Sequence, residues 1–152
     1  MRNLVRYLPA TARILLGLVF TVFGLNGFLH FLPTPPMSGP SGDFAMALGA
    51  TGYIFPVLKA FEVASGLMLL SGRLVPLALT LLAPIIVNIA LFHFVLTPGQ
   101  VGMPAVLVAL EVFLAWAYRD AFRGVLDVRA RPRLGAEEPA IPQHARDLAA
   151  IR

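Results

Sequence analysis

The sequence predicts an all-α protein, a transmembrane four-helix bundle with both termini in the cytoplasm. Of the 152 residues, 58% are hydrophobic and only 13% are charged, and the mean hydropathy is +0.79. A soluble domain of this size needs a larger charged surface. Four apolar stretches reach or approach the ~20 residues that cross about 30 Å of hydrocarbon. We predict helices at about residues 10–32, 53–71, 74–96 and 102–119.

A soluble four-helix bundle is the alternative to a membrane protein. Its helices would carry a polar stripe that recurs about every 3.6 residues, whereas most faces of these four stretches are apolar. The first stretch is also too long for the apolar core of a cleaved signal peptide. No small-residue cleavage site ends it before Pro33, so we expect it to remain as a membrane anchor.

The connection between the first two helices, residues 33–52, is rich in Pro, Gly and Ser at its start. Within it, residues 41–49 are typical of one or two helical turns, which Ser41 or Asp43 would cap and Gly49 would end. Phe44 and Leu48 are four residues apart in this segment. We expect them to lie on the membrane surface, and the alternative is that they fold down as a lid.

Pro84 is the one proline expected in the middle of a helix. It removes a hydrogen bond to the Thr80 carbonyl and predicts a kink below Asn88, and the Thr80 hydroxyl is a candidate to compensate the freed carbonyl. The membrane domain is predicted to end near residue 123. The polar segment 124–152 is predicted to be a flexible cytoplasmic tail.

The basic residues predict the topology of the helices. Residues 33–52 and 97–101 contain no Lys or Arg, so the positive-inside rule places these two connections outside and both termini in the cytoplasm. Arginines precede or begin the first helix, occupy the tight turn before the third, and end or follow the fourth: Arg2, Arg6, Arg13, Arg73, Arg119, Arg123, Arg129, Arg131 and Arg133.

Composition also excludes several kinds of site and partner. The chain has no cysteine, so it cannot form a disulfide, a thiolate metal site or an iron–sulfur cluster from its own residues. The net charge of +4 comes from arginines that are distributed as the topology requires. The chain has no basic run interleaved with aromatic residues that would suggest binding of nucleic acid. The predicted partner is the lipid bilayer.

Lys59 is the only lysine, and it lies in an apolar stretch three residues before Glu62. Residues three apart share a helix face, so the two charges can pair. Ionisable groups at membrane depth are costly and suggest a functional site by default. Gly17 and Gly24 form a smooth strip on the first helix, which could pack a neighbouring helix or a second protomer.

The buried polar residues are expected at matching depths in the outer half of the membrane. At a rise of about 1.5 Å per residue, they lie roughly 3–13 Å below the outer helix ends. A shared depth on four helices predicts one ligand pocket open to the outside, with His93 as a possible rim residue. His93 lies about 140° around the helix from Asn88, so it faces this pocket only if the Pro84 kink rotates it. The predicted ligand-binding residues are Asn26, His30, Lys59, Glu62, Asn88 and Glu111.

Two other interpretations of these residues remain open. Lys59, Glu62 and Glu111 can form a structural cluster that fixes helix registry. His30 and His93 have similar depths and could bind a metal or haem, although no metal site is predicted. Two carboxylates beside one lysine cannot all be charged in a low dielectric, so one glutamate is expected to hold a proton.

Four segments together resemble bacterial DoxX-family membrane proteins, over about residues 10–123. The resemblance implies a small four-helix protein of the bacterial inner membrane, in a family linked to membrane redox and oxidative-stress systems. It implies quinone as a possible cofactor and membrane oxidoreductase subunits as possible partners, but it identifies no catalytic residue. The segments are GLNGFLHF at 24–31, GYIFPVLKAFEV at 52–63, VNIALFH at 87–93 and WAYR at 116–119.

Three functions therefore compete at this stage. The first is a redox-associated subunit that binds a quinone or similar lipid-soluble ligand, with Glu62 or Glu111 exchanging protons and Lys59 or His30 bonding a carbonyl oxygen. The second is a small transporter that moves protons or an anion past Lys59 and Glu62. The inner half of the membrane lacks matching polar groups, which argues against this function. The third is a non-catalytic assembly or stability factor, as a monomer or a homo-oligomer. Whether the protein is an enzyme stays open.

Overall fold

The computed structural model describes residues 2–33 and 36–124. Within these ranges the chain is helical and contains no strand, which confirms the all-α prediction. Two short 3₁₀ helices, Pro98–Gln100 and Arg119–Phe122, flank the last α-helix. Apart from Gly124, the predicted tail at 124–152 lies outside the described residues. The five α-helices are α1 (Arg2–Leu29), α2 (Pro40–Ala50), α3 (Ile54–Ser71), α4 (Val75–Leu96) and α5 (Gly102–Ala117).

Helix α1 differs from its predicted bounds at both ends. It begins at Arg2 and continues through Pro9, and it ends at Leu29 where a helix to residue 32 was expected. The chain leaves the helix at His30, whose φ is +50°. The Asn26 side chain then accepts a 2.6 Å hydrogen bond from the Leu32 backbone N–H, which holds the chain in this turn.

Helix α2 is longer than the one or two turns predicted. Its 11 residues begin at Pro40, and the predicted capping role of Ser41 or Asp43 is wrong, because Gly39 precedes the helix and no side chain caps it. The Ser41 hydroxyl instead donates to the Ser38 carbonyl. Gly39 directly precedes the helix, and its φ of +65° suits a residue without a side chain.

Among the described residues, three helical segments are long and apolar enough to cross a membrane: Tyr7–Leu29, Ile54–Ser71 and Val75–Leu96. Helix α5 is apolar but has only 16 residues. Pro84 lies inside α4, which continues through it as a single helix. The Thr80 hydroxyl donates to the Pro76 carbonyl at 2.9 Å, so it does not serve the carbonyl freed by Pro84 as predicted.

Helix α1 packs mainly on α3 and also on α5, and α4 packs on the same two helices. Three glycines fix the direction of the main contact: Gly17 faces Gly66, Gly24 faces Val63, and Gly27 faces Lys59. As the residue numbers rise in α1 they fall in α3, so these two helices are antiparallel. This register also brings Arg13 of α1 beside Gly72, just after α3.

The closest approach of α1 and α3 depends on Gly17 and Gly66. A Cβ at Gly17 would lie 3.0 Å from the Gly66 carbonyl oxygen, and one at Gly66 would lie 2.7 Å from the Thr21 backbone nitrogen. Backbones can approach this closely only where side chains are absent. The predicted glycine strip of α1 therefore packs within the chain against α3.

Apolar side chains fill the centre and also cover much of the outside. The core includes Leu16, Leu69, Leu79, Leu82 and Leu114, all of them buried. Large apolar side chains also remain exposed, among them Phe94, Val95, Met46 and Trp116. An apolar exterior around an apolar core is typical of a chain that lies in lipid.

Candidate functional site

Lys59 and Glu62 form an ion pair on α3, as the sequence predicts. The Lys59 Nζ donates to Glu62 Oε2 at 2.8 Å, and the two side chains are 23% and 4% exposed. The Lys59 stem lies over Gly27, because a Cβ there would be 2.7 Å from Lys59 Cδ. Gly24 gives room to the Cβ of Glu62 in the same way. The pair therefore lies in the contact between α1 and α3.

Glu62 and Glu111 both lie on the buried stripes of their helices. Glu62 shares the buried face of α3 with Ser65 and Leu69, and Glu111 shares that of α5 with Leu107 and Leu114. A stripe at this spacing faces the neighbouring helices. These two carboxylates are thus interior groups and are not walls of an open pocket.

Among the described residues, Glu111 Oε2 is buried and has no hydrogen-bond partner, and the same holds for Ser65 Oγ and Thr21 Oγ1. Counting from Ile54 and Gly102, Glu62 and Glu111 lie roughly 12 and 13 Å from the starts of α3 and α5. Helix α4 runs from the end of α3 back to the start of α5, so the starts of α3 and α5 lie at the same end of the helices. By residue count the two carboxylates thus share a level, but within the described part of the chain no hydrogen bond joins Glu111 to the Lys59–Glu62 pair.

Asn88 and His93 line a different cavity, which α2, α3 and α4 enclose. We name it the α2–α4 cleft; its volume is about 430 Å³. Asn88 is exposed and follows the buried Ile86 by two residues, so it faces away from the core. The prediction that Asn88 lines one pocket together with Glu62 and Glu111 therefore does not fit the structure. The remaining lining is mostly apolar and includes Met37, Phe44, Leu48, Ile54, Leu58 and Phe92.

His93 is held in place by its own helix. Its Nδ1 lies 2.9 Å from the Ile89 carbonyl oxygen. A carbonyl only accepts, so Nδ1 must be the donor, and in the neutral ring Nε2 is then an acceptor. The ring also stands edge-on to Phe92, with centroids 5.3 Å apart. This leaves Nε2 as the nitrogen that could bind a ligand in the cleft.

Asn26 and His30 belong neither to the Lys59–Glu62 pair nor to the α2–α4 cleft. Asn26 serves the turn after α1 through its bond to Leu32. His30 is exposed and lies beyond the helix end, so it does not continue the face of α1 that carries Asn26. The seven predicted site residues thus separate into the Lys59–Glu62 pair, the buried Glu111, the Asn88–His93 cleft and the end of α1.

Helix α2 is the part of the site that the sequence located least well. Its Phe44 and Leu48 form one wall of the α2–α4 cleft, and the Phe44 ring lies 5.8 Å from that of Phe92. The signal was the spacing of Phe44 and Leu48, for which a lid was the alternative to a plain surface turn. Packing against α3 and α4 favours that alternative.

Within residues 2–33 and 36–124, no three His, Asp or Glu side chains are grouped as metal ligands. The α2–α4 cleft offers a ligand hydrogen bonding with Asn88 and His93 among mostly apolar side chains. Comparison with protein-family models, curated proteins and solved structures finds no match to this chain.

Proposed function

We propose that this chain is a DoxX-like protein of the bacterial inner membrane that binds a quinone or similar lipid-soluble ligand in the α2–α4 cleft. The observation that carries the proposal is an apolar cavity of about 430 Å³ whose lining includes the polar side chains of Asn88 and His93. Ligand sites are usually of this kind, with mostly apolar walls and a few polar groups that orient the ligand.

The two polar groups suit both redox states of a quinone head group. The Asn88 amide both donates and accepts, so it can donate to a quinone carbonyl. His93 Nε2 accepts in the neutral ring and can take a hydrogen bond from a quinol hydroxyl. Phe44 and Phe92 supply aromatic surface beside the ring. Binding of either state needs no charged residue in the cleft.

Lys59, Glu62 and Glu111 have a different role in this proposal. They lie on the interior faces of α3 and α5, and none of them lines the α2–α4 cleft. Direct bonding of the ligand by Lys59 is therefore not part of the proposal. The ion pair joins two residues of α3, and their side chains pack against α1 at Gly24 and Gly27.

Quinone titration of the purified protein tests this site. We expect Asn88→Leu and His93→Phe each to weaken binding about tenfold, since one hydrogen bond contributes about 1–1.5 kcal/mol. Lys59→Met should leave the affinity unchanged, provided that the variant folds. An affinity that Asn88→Leu and His93→Phe leave intact, or that Lys59→Met alone abolishes in a folded protein, contradicts this assignment.

We also propose that α1, α3, α4 and α5 form a transmembrane bundle with both termini in the cytoplasm. The chain has no cysteine, so single cysteines can report topology without any background substitution. Gln100 and Arg73 are exposed, at opposite ends of α4. In intact cells we expect Gln100→Cys to react with a membrane-impermeant maleimide, and Arg73→Cys to react only after permeabilisation. The reverse pattern contradicts the orientation.

A non-catalytic assembly or stability factor is the second candidate. The observation in its favour is the Lys59–Glu62 pair, which bonds within the chain and not in the cleft. One double variant distinguishes the two candidate functions. Asn88→Leu combined with His93→Phe should abolish the cellular role of a ligand-binding protein, but it should leave that of a pure assembly factor intact.

A further inference from the structure

A second candidate site lies at the opposite end of the helices, at the turn between α3 and α4. This turn consists of Gly72, Arg73 and Leu74. Gly72 has φ +71° and Leu74 has φ +56°, so the chain reverses within three residues. The Arg13 guanidinium of α1 lies directly against Gly72, in the space that a side chain would occupy there. Arg73 is itself a residue of this turn, so one arginine belongs to the turn and a second contacts it.

Neither arginine is neutralised in the part of the chain that the structure describes. Arg13 Nε is buried and has no hydrogen-bond partner, and the ion pair found there joins Lys59 and Glu62. A buried donor without an acceptor costs free energy, and more so when it belongs to a charged group. An anion bound at this turn would neutralise the unpaired positive charge.

The adjoining surface has the character of a lipid site. A cleft of about 790 Å³ begins at Arg73 and Ser71 and continues along Ala64, Leu67, Met68 and Leu74. Apart from Leu74 in the turn, the apolar residues of the cleft lie on α3, further from the turn than Ser71. The Ser71 hydroxyl donates to the Met68 carbonyl and accepts from the Arg73 N–H, so the backbone that presents Arg73 is fixed.

We propose that this turn binds the phosphate of an anionic membrane lipid, with Arg13 and Arg73 on the phosphate and an acyl chain along Leu67 and Ala64. Guanidinium groups bind phosphate through paired, charge-assisted hydrogen bonds. The apolar part of the cleft distinguishes a lipid from a free phosphate ion, which would use the arginines alone. This site is independent of the α2–α4 cleft and of any quinone.

The test is titration of the full-length protein in detergent micelles with phosphatidylglycerol, phosphatidylcholine and inorganic phosphate, read by native mass spectrometry. We expect wild type to prefer phosphatidylglycerol to phosphatidylcholine. Each of Arg13→Gln and Arg73→Gln should weaken phosphatidylglycerol binding about fivefold, which corresponds to about 1 kcal/mol per arginine. The double variant should lose the preference.

Arg119→Gln is the matched control. The Arg119 guanidinium donates to the Trp116 carbonyl at 3.1 Å and lies over the Trp116 ring, so its loss should leave the lipid preference unchanged. If the double variant does not fold, the exposed Arg73→Gln decides alone. Equal lipid preference in wild type and Arg73→Gln, or displacement of phosphatidylglycerol by equimolar inorganic phosphate, overturns the proposal.

Discussion

Gly66→Ala is expected to destabilise the protein by about 1–3 kcal/mol, which is the usual cost of overpacking a tight interior. The added Cβ would contact the Thr21 hydroxyl and lie 2.7 Å from the Thr21 backbone nitrogen and 2.9 Å from the Gly17 carbonyl oxygen. Two of these three atoms are backbone, so α1 as a whole would have to move. Alanine is by itself the better helix former by about 1 kcal/mol, so the expected loss opposes the intrinsic preference.

The measurement is the free energy of unfolding in detergent, followed by the loss of helical circular dichroism. Gly102→Ala is the matched control, because a Cβ at this glycine of α5 meets no atom within 4 Å. It should be neutral or slightly stabilising. A Gly66→Ala protein as stable as Gly102→Ala would show that α1 and α3 do not pack as described.

Lys59→Met is expected to cost about 3 kcal/mol, at the lower end of the range for removing one partner of a buried ion pair. Glu62 is buried, and in this variant its carboxylate loses the 2.8 Å hydrogen bond from Lys59 Nζ. Adding Glu62→Leu removes the orphaned charge, so the double variant should recover most of the loss. Lys59→Met should therefore be less stable than Lys59→Met with Glu62→Leu.

A double-mutant cycle on unfolding free energies measures this coupling directly. Phe61→Leu, next to Glu62 but exposed on the other face of α3, is the control and should change stability little. Additive effects of Lys59→Met and Glu62→Leu would mean that the pair contributes no coupling energy. The interior role assigned to Lys59 and Glu62 would then be wrong.

The sequence predicted what depends on local pattern. The positions of α3, α4 and α5 agree with the apolar stretches to within two residues at each end, because long runs of apolar residues leave few alternatives to a buried helix. The Lys59–Glu62 bond was predictable for a similar reason, since two residues three apart on a helix meet without help from the rest of the fold.

The site depends on packing, which the sequence could not supply. Depth along a helix follows from counting residues, which places Glu62, Asn88 and Glu111 at a common level. The direction in which a side chain points around the helix axis depends on which helix face meets a neighbour. In the folded chain Asn88 lines the α2–α4 cleft, whereas Glu111 lies in the interior. The early end of α1 also depends on one side-chain bond, from the Leu32 N–H to Asn26.

The shortness of α5 has a consequence for the surrounding bilayer. Its 16 residues give roughly 24 Å at 1.5 Å per residue, whereas the 22 residues of α4 give roughly 33 Å. In the proposed orientation the hydrocarbon must compress beside α5 and can keep its full thickness beside α4, at a cost of a fraction of a kcal/mol per Å of mismatch. In the proposed bundle the bilayer beside α5 is therefore thinner than the bilayer beside α4.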